Sequence, residues 1–187
     1  ITELHGFNED IIREGIVYEV SRNGQVFFIN NRIENIMEVK ASLLHFCPEI
    51  KIAVVHGRME GEEIENVMSD FLHGDYDVLL ATTIIESGLD IPNVDTIFIN
   101  AAHSFGLSEL HQLRGRVGRG SKESYCFLLS ESDSKTAKER LSILCSTTDG
   151  FKIAERDLEM RGPGELIGAR QHGEDGLSAA MFASNMK

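Results

Sequence analysis

The chain has 187 residues, with 18 lysines and arginines against 30 aspartates and glutamates, a formal net charge of -12. A hydrophobic share of 42% suits one well-cored globular domain with an appendage and excludes a disordered chain. Nonspecific nucleic-acid binders are usually basic, so any nucleic-acid contact here must come from a narrow cationic groove on an acidic body.

In chain order, Ile11, Ile12 and Ile16 mark a helix ahead of the first strand. Gln25–Asn30 (QVFFIN) reads as that strand, and Ile33, Ile36, Met37 and Leu44 mark the next helix. After a second strand at Lys51–Val55 (KIAVV), Ile64, Val67, Met68, Phe71 and Leu72 follow the stripe of an amphipathic helix that His73-Gly74 ends. Asp77–Ala81, Asp95–Ile99 and Ser124–Leu129 are three further strands. All five runs are short and apolar nearly throughout, as strands covered on both faces should be. Strands alternating with helices predict a doubly wound, mostly parallel α/β sheet.

Beyond Leu129 the texture changes. Asp133–Thr147 reads as a helix with Ala137, Leu141 and Leu144 on one face, and Thr148-Asp149-Gly150 as a turn. Phe151–Arg161 reads as a second helix, with Ile153, Ala154, Leu158 and Met160 apolar. Arg161-Gly162-Pro163-Gly164 then predicts a helix stop and an irregular segment through Gly176. The chain divides on this reading into a sheet lobe, 1–130, and a helical hairpin with its following segment, 131–187. Cys47, Cys126 and Cys145 form no CxxC, which argues against a zinc site or a disulfide framework. They read as buried reduced thiols, which fits cytosol. No signal peptide and no membrane-length apolar run is present, and a start at Ile1 without Met suggests an excised fragment.

The chemistry concentrates in Gln112-Leu113-Arg114-Gly115-Arg116-Val117-Gly118-Arg119. Arginine is always charged, and its planar fork matches phosphate oxygens two at a time. Interleaved glycines let the backbone approach a ligand. In open α/β sheets ligands also gather at the carboxyl ends of strands. Those exits are Asn30-Asn31-Arg32, His56-Gly57-Arg58, Thr82-Thr83 and Asn100-Ala101-Ala102-His103. The stretch Thr82–Pro92 adds hydroxyls suited to phosphate or ribose, a tight turn at Gly88 and a ribose acceptor in Asp90. Alone, it reads as a strand, a short helix and a turn.

Taken together, these stretches resemble motifs V and VI of superfamily 2 helicases: Thr83 with Gly88 and Asp90, then Gln112, Gly115, Arg116, Gly118 and Arg119. Within that superfamily the chain is similar to the branch of RecG and the transcription-repair coupling factors (Mfd). The resemblance lies in Gln25–Arg32, His56–Met59, Phe105–Arg119, and Asp157–Gly168 with Gln171. It runs through about Gly173. The first half looks like the coupling factors and the later part more like RecG. The direct run from Asn30 to Glu34 favours the coupling factors.

The resemblance implies a RecA-like helicase C-terminal lobe with a C-terminal helical hairpin. It would be the second motor lobe of an ATP-dependent double-stranded DNA translocase in DNA repair, which removes stalled RNA polymerase and recruits excision-repair proteins in the bacterial cytoplasm. The sequence holds no G-x-x-x-x-G-K-[ST] loop and no acidic box for magnesium, so ATP and Mg2+ would be held mainly by the first lobe of the same polypeptide. The isolated chain would then lack ATPase activity. By the same resemblance Arg119 is the arginine finger, Arg116 a second γ-phosphate contact, and Gln112 the group that positions water or the γ-phosphate. Gly88 and Asp90 would lie near the nucleotide. Thr82, Thr83, Asn31, Arg32, His56 and Arg58 are the candidates for gripping DNA phosphates, with weak sequence preference. Arg161 and Gln171 would belong to the translocation motif. The competing readings are a RecG-type branch-migrating lobe and a non-enzymatic module that binds a nucleotide or partner protein. A dinucleotide enzyme is disfavoured, since no G-x-G-x-x-G opens a helix after the first strand.

Overall fold

The structure is a computed structural model that describes residues 1–82 and 93–173, without the side chains of 162–173. Six strands run β1 (Thr2–His5), β2 (Gln25–Ile29), β3 (Ile52–Val55), β4 (Val78–Ala81), β5 (Val94–Ile99) and β6 (Tyr125–Leu129). They form one sheet in the order β1-β6-β5-β2-β4-β3, parallel at every pairing. Parallel neighbours need crossovers, and helices supply them: α1 (Glu9–Ser21), α2 (Ile36–Phe46), α3 (Gly61–Leu72) and α4 (Leu107–Arg114), followed by α5 (Lys135–Ser146) and α6 (Gly150–Gly173).

The alternation of neighbouring side chains along the central strands builds two apolar layers. Val26, Phe28, Leu80 and Phe98 face α1 and α2, where Ile12, Ile16, Ile36 and Leu43 cover them. Phe27, Leu79, Ile97 and Ile99 face the other way, under Phe71, Leu107, Leu110, Leu141 and Ile153. On the first face a row of stacked rings crosses the sheet, Phe28 to Phe98 at 5.6 Å and Phe98 to Phe127 at 4.7 Å between centroids. Local signals place the helix ends. Asn8 caps α1 by accepting from the N–H groups of Asp10 and Ile11, and Ser134 caps α5 by accepting from Ala137. Gly74 closes α3 at φ 89°, a conformation that glycine adopts without a Cβ penalty.

The five predicted strands are all present, and the fold class is the one expected. The structure corrects other expectations. β1 was not foreseen: its four residues are half-buried and polar in part, and it lies at the sheet edge where an apolar run is not required. Met37, Leu72 and Leu158 were placed on apolar faces but are exposed, as is Cys145 on the outer side of α5. Ile33 precedes α2 rather than belonging to it. The helix stop expected at Arg161–Gly164 does not occur, because α6 continues to Gly173. Propensity is a weak prior there: a proline removes one ladder bond, at about 3 kcal/mol, and each glycine about 1 kcal/mol, and a long helix can absorb such local losses. The hairpin of α5 and α6 shares the sheet's core, through Leu141, Ile143, Leu144 and Ile153.

Candidate functional site

The sheet has two edges with different chemistry. All strands are parallel, so the carboxyl ends of β2, β3, β4 and β5 lie along one edge. α4 leaves that edge and runs back, which delivers Gly115–Gly120 to the opposite edge, beside the start of β6 at Tyr125 and of β1 at Thr2. The predicted residues therefore separate into two groups rather than one site.

At the amino edge, a cavity of about 760 Å³ opens between the arginine stretch and the first residues of β1 and β6. Gln112, Arg114, Arg116, Arg119 and His111 line it, with Thr148 from the turn before α6. No carboxylate stands among these lining residues. α4 is built to bring them there. Leu107, Leu110 and Leu113 are buried, Glu109 caps the helix N-terminus, and Gly115 ends it. Gly118 then turns at φ 81°, and a Cβ on it would lie 2.8 Å from Ser124 Oγ, so this turn requires glycine. Val117 is buried between the two arginines and anchors the loop.

Three arginines in this stretch have three different environments. Arg114 is half-buried: its Nη1 donates to the carbonyl of Leu144 and to Thr2 Oγ1 at 3.3 Å, and its Nη2 donates to His111 Nδ1 at 3.3 Å. Burial lowers its pKa from the usual guanidinium value, with the nearby thiols of Cys126 and Cys145 opposing. Arg119 is exposed and makes one hydrogen bond, from Nε to the Gly115 carbonyl at 3.3 Å. Arg116 is half-exposed, and among the described residues neither it nor Gln112 has a side-chain partner. Arg114 thus braces α4 against the end of α5, while Arg116, Arg119 and Gln112 remain available to a ligand. The sequence reading missed the bracing role of Arg114 and His111; the Leu107, Leu110, Leu113 spacing was the signal for the helix that carries them.

At the carboxyl edge, the polar exits are tied to one another. Asn30 Nδ2 donates to the Arg32 carbonyl and to Asn35 Oδ1, both at 2.9 Å, and Asn30 Oδ1 accepts from Asn100 Nδ2 at 3.0 Å. His103 Nδ1 lies 2.9 Å from Ser130 Oγ. His56 Nδ1 accepts from the backbone N–H of Arg58 at 3.2 Å, so this histidine shapes its own turn. The exposed groups beyond this row are Asn31, Arg32 and Arg58. Arg58 reaches Glu34 at 3.7 Å, a solvated pair worth little, and Arg32 has no ion pair among the described residues. Thr82 departs from expectation: it is buried, and its hydroxyl is closed to solvent without a partner among the described residues. Thr83, Gly88 and Asp90 lie outside the described residues. On α6, Arg161 pairs with Asp157 at 3.4 Å one turn earlier, and Gln171 lies on the same helix with its side chain outside the described set.

Residues 8–121 match the helicase conserved C-terminal domain. The chain is 46% identical over 177 residues to the transcription-repair-coupling factor of Borreliella burgdorferi, which covers 91% of this chain and 16% of that protein. It is 45% identical over 172 residues to the coupling factor of Staphylococcus haemolyticus, covering 89% of this chain and 15% of that one. The structure of RecG bound to a three-way DNA junction superposes with a TM-score of 0.76 at 43% identity, covering 94% of this chain and 23% of that chain. The C-terminal domain of Saccharomyces cerevisiae Dbp5, bound to Gle1 and IP6, shares the fold alone, with a TM-score of 0.58 at 16% identity over 86% of this chain and 95% of that one. The chain spans about one sixth of the length of the curated relatives it matches. Both members of the expected branch are thus matched, the coupling factors at the higher identity. With its parallel six-stranded sheet and the arginine stretch inside the matched span, the chain belongs to the family of helicase conserved C-terminal domains.

Proposed function

We propose that this chain is the second motor lobe of an ATP-dependent double-stranded DNA translocase that acts in DNA repair, of the transcription-repair coupling kind. One observation carries the reading. Arg116 and Arg119 on a braced loop and Gln112 on α4 line a roomy cavity, with neither cation ion-paired among the described residues and no carboxylate among the lining side chains. Such a cavity fits the phosphates of ATP, and it lacks the ligands a Mg2+ ion would need. It is half of a site, completed by a first lobe that supplies the phosphate-binding loop and the metal ligands.

When bound, ATP supplies the γ-phosphoryl group whose transfer to water drives the motor. Arg119 stabilises the charge that develops on that group, Arg116 holds its oxygens, and Gln112 orients the attacking water. An arginine acting this way is worth ~10³–10⁵ in rate. Gly88 and Asp90 complete the nucleotide side. The opposite edge meets DNA: Asn31, Arg32, His56 and Arg58 line it, whereas the buried Thr82 hydroxyl does not reach it and Thr83 is the remaining candidate for a phosphate contact. Contacts of this kind go to phosphates and read little sequence. Arg161 and Gln171 on α6 belong to the translocation element, which moves with α4 through their shared packing. The isolated chain, without the lobe that would hold ATP and Mg2+, would not hydrolyse ATP. RNA polymerase and excision-repair proteins are the partners of the full-length protein on this reading, in a bacterial cytoplasm.

The test is Arg119→Ala in the full-length protein. DNA-stimulated ATP hydrolysis should fall by about 10³-fold or more while ATP binding persists. Normal turnover in that variant would sink the assignment. A RecG-like motor for branched DNA is the second reading, favoured by the 0.76 TM-score to the junction-bound structure. Preference of the full-length protein for three-way junctions over linear duplex would select it.

A further inference from the structure

The end of α1 carries a buried ion pair that the proposed site does not use. Glu19 is fully buried, and a carboxylate survives such burial only when paired and hydrogen-bonded. Its Oε1 accepts from the backbone N–H of Asp95, at the start of β5, at 3.0 Å. Its Oε2 accepts from Arg22 Nε. The core strand thereby orients Glu19, and Glu19 orients the Arg22 guanidinium. Burial pulls the Arg22 pKa down, but the hydrogen bond and charge of Glu19, with Tyr18 and Asp95, raise it overall, so the cation is kept.

The other end of that guanidinium reaches the loop behind the arginine stretch. Arg22 Nη2 donates to the carbonyl of Glu123 at 2.8 Å, and Lys122 Nζ donates back to the carbonyl of Arg22 at 2.6 Å. The guanidinium carbon also lies 4.9 Å from the Tyr18 ring centre and 5.6 Å from that of Tyr125, the first residue of β6. The segment so held, Gly120–Ser124, directly follows Arg119. Ser124 at its far end packs against the Gly118 turn, which immediately precedes Arg119. Arg119 itself is exposed, with a single bond to the Gly115 carbonyl, so the backbone of this loop decides where its guanidinium points.

We propose that Arg22 is a positioning residue for the nucleotide half-site, clamping the loop at Lys122 and Glu123 so that Arg119 is presented toward the cavity. This rests on the reading of Arg119 given above. The chain of contacts runs from the sheet core through Asp95, Glu19, Arg22 and Glu123 to the loop. A guanidinium suits the task because it bonds in two directions and stacks on rings at once; an ammonium cannot do all three.

The test uses the full-length protein and DNA-stimulated ATP hydrolysis of Arg22→Ala, Arg22→Lys, Arg119→Ala and the two double variants, each with its melting temperature. Arg22→Ala should lower kcat by about 10²-fold, the cost of a finger displaced by about an ångström. The KM for ATP should change by less than about threefold, as for an interaction made only in the transition state. Arg22→Lys keeps a cation for Glu19 and so the fold, but loses the reach to Glu123; its kcat should fall about tenfold at an unchanged melting temperature. In the Arg119→Ala background neither Arg22 variant should lower single-turnover hydrolysis further. Full kcat in a folded Arg22→Lys, or losses that multiply in the double variants, would overturn the proposal. If Arg22→Ala does not fold, Arg22→Lys decides. Full turnover in Arg119→Ala defeats the half-site reading itself, whereas an inactive Arg119→Ala beside fully active Arg22 variants defeats only the clamp.

Discussion

The two edges of the sheet differ in how their polar groups are satisfied. At the carboxyl edge Asn30 bonds to both Asn35 and Asn100, His103 meets Ser130, and the Arg32 carbonyl is held by Asn30. At the amino edge the backbone is held and the side chains are left open: Arg114 is spent on Leu144 and Thr2, while Arg116, Arg119 and Gln112 face a cavity. A side chain with its bonds made inside the fold shapes the surface. An unpaired cation on a braced loop waits for an anion. That distinction, rather than the presence of polar residues, separates the candidates at each edge.

The comparison can be broken in order of expected effect. The largest is at the amino edge, where Arg119→Ala in the full-length protein should lower DNA-stimulated hydrolysis by about 10³-fold, read as single-turnover ATP cleavage. Next is the core both edges share. Phe98, stacked between Phe28 and Phe127, should cost about 3–5 kcal/mol as Phe98→Ala, measured by denaturant unfolding of this chain. At the carboxyl edge, Asn30→Ala leaves Asn100 and the Arg32 carbonyl short of partners and should cost about 1–3 kcal/mol by the same measurement. An undiminished stability there would mean that the row is solvated rather than interlocked.

The last effect concerns pH and is absent at neutrality. Burial pushes the Cys126 thiol from 9.0 up to about 12, with the charge of Arg114 opposing. The folded chain thus holds this proton more tightly than the unfolded one. The resulting stability is complete below pH 9 and is lost as pH rises from 9 toward 12. Urea midpoints measured across that window should fall in the parent chain and fall less in Cys126→Ala. Alkylation at pH 8 should label the exposed Cys145 before Cys126 or Cys47, as read by mass spectrometry.

How much of this was legible in the sequence depended on whether a signal was local. β2 to β6 announced themselves because strands buried on both faces must be apolar at every position. β1 did not, since Thr2-Glu3-Leu4-His5 is an edge strand with half its surface open. α4 hid inside a motif, although Leu107, Leu110 and Leu113 gave its face. α6 ran past Gly162, Pro163 and Gly164 because three local penalties did not outweigh the rest of a 24-residue helix. The arginine stretch was legible from its glycine spacing, yet its position was not: only the chain direction after β5 puts it at the edge opposite Arg32 and Arg58. Nor could spacing reveal the Arg22 clamp, whose ends are 101 residues apart.

On the proposed function, one edge meets the nucleotide and the other meets DNA. The most direct measurement compares Arg119→Ala with Arg32→Ala/Arg58→Ala in the full-length protein, for DNA affinity across a salt series and for hydrolysis at saturating DNA. The expected result is a crossed pattern. Arg119→Ala should keep DNA affinity and lose hydrolysis. The double variant should bind DNA more weakly, with a salt slope reduced by about 0.9 for each lost phosphate contact, and should hydrolyse ATP once saturated. Parallel losses of both properties in both variants would contradict the separation of the two edges.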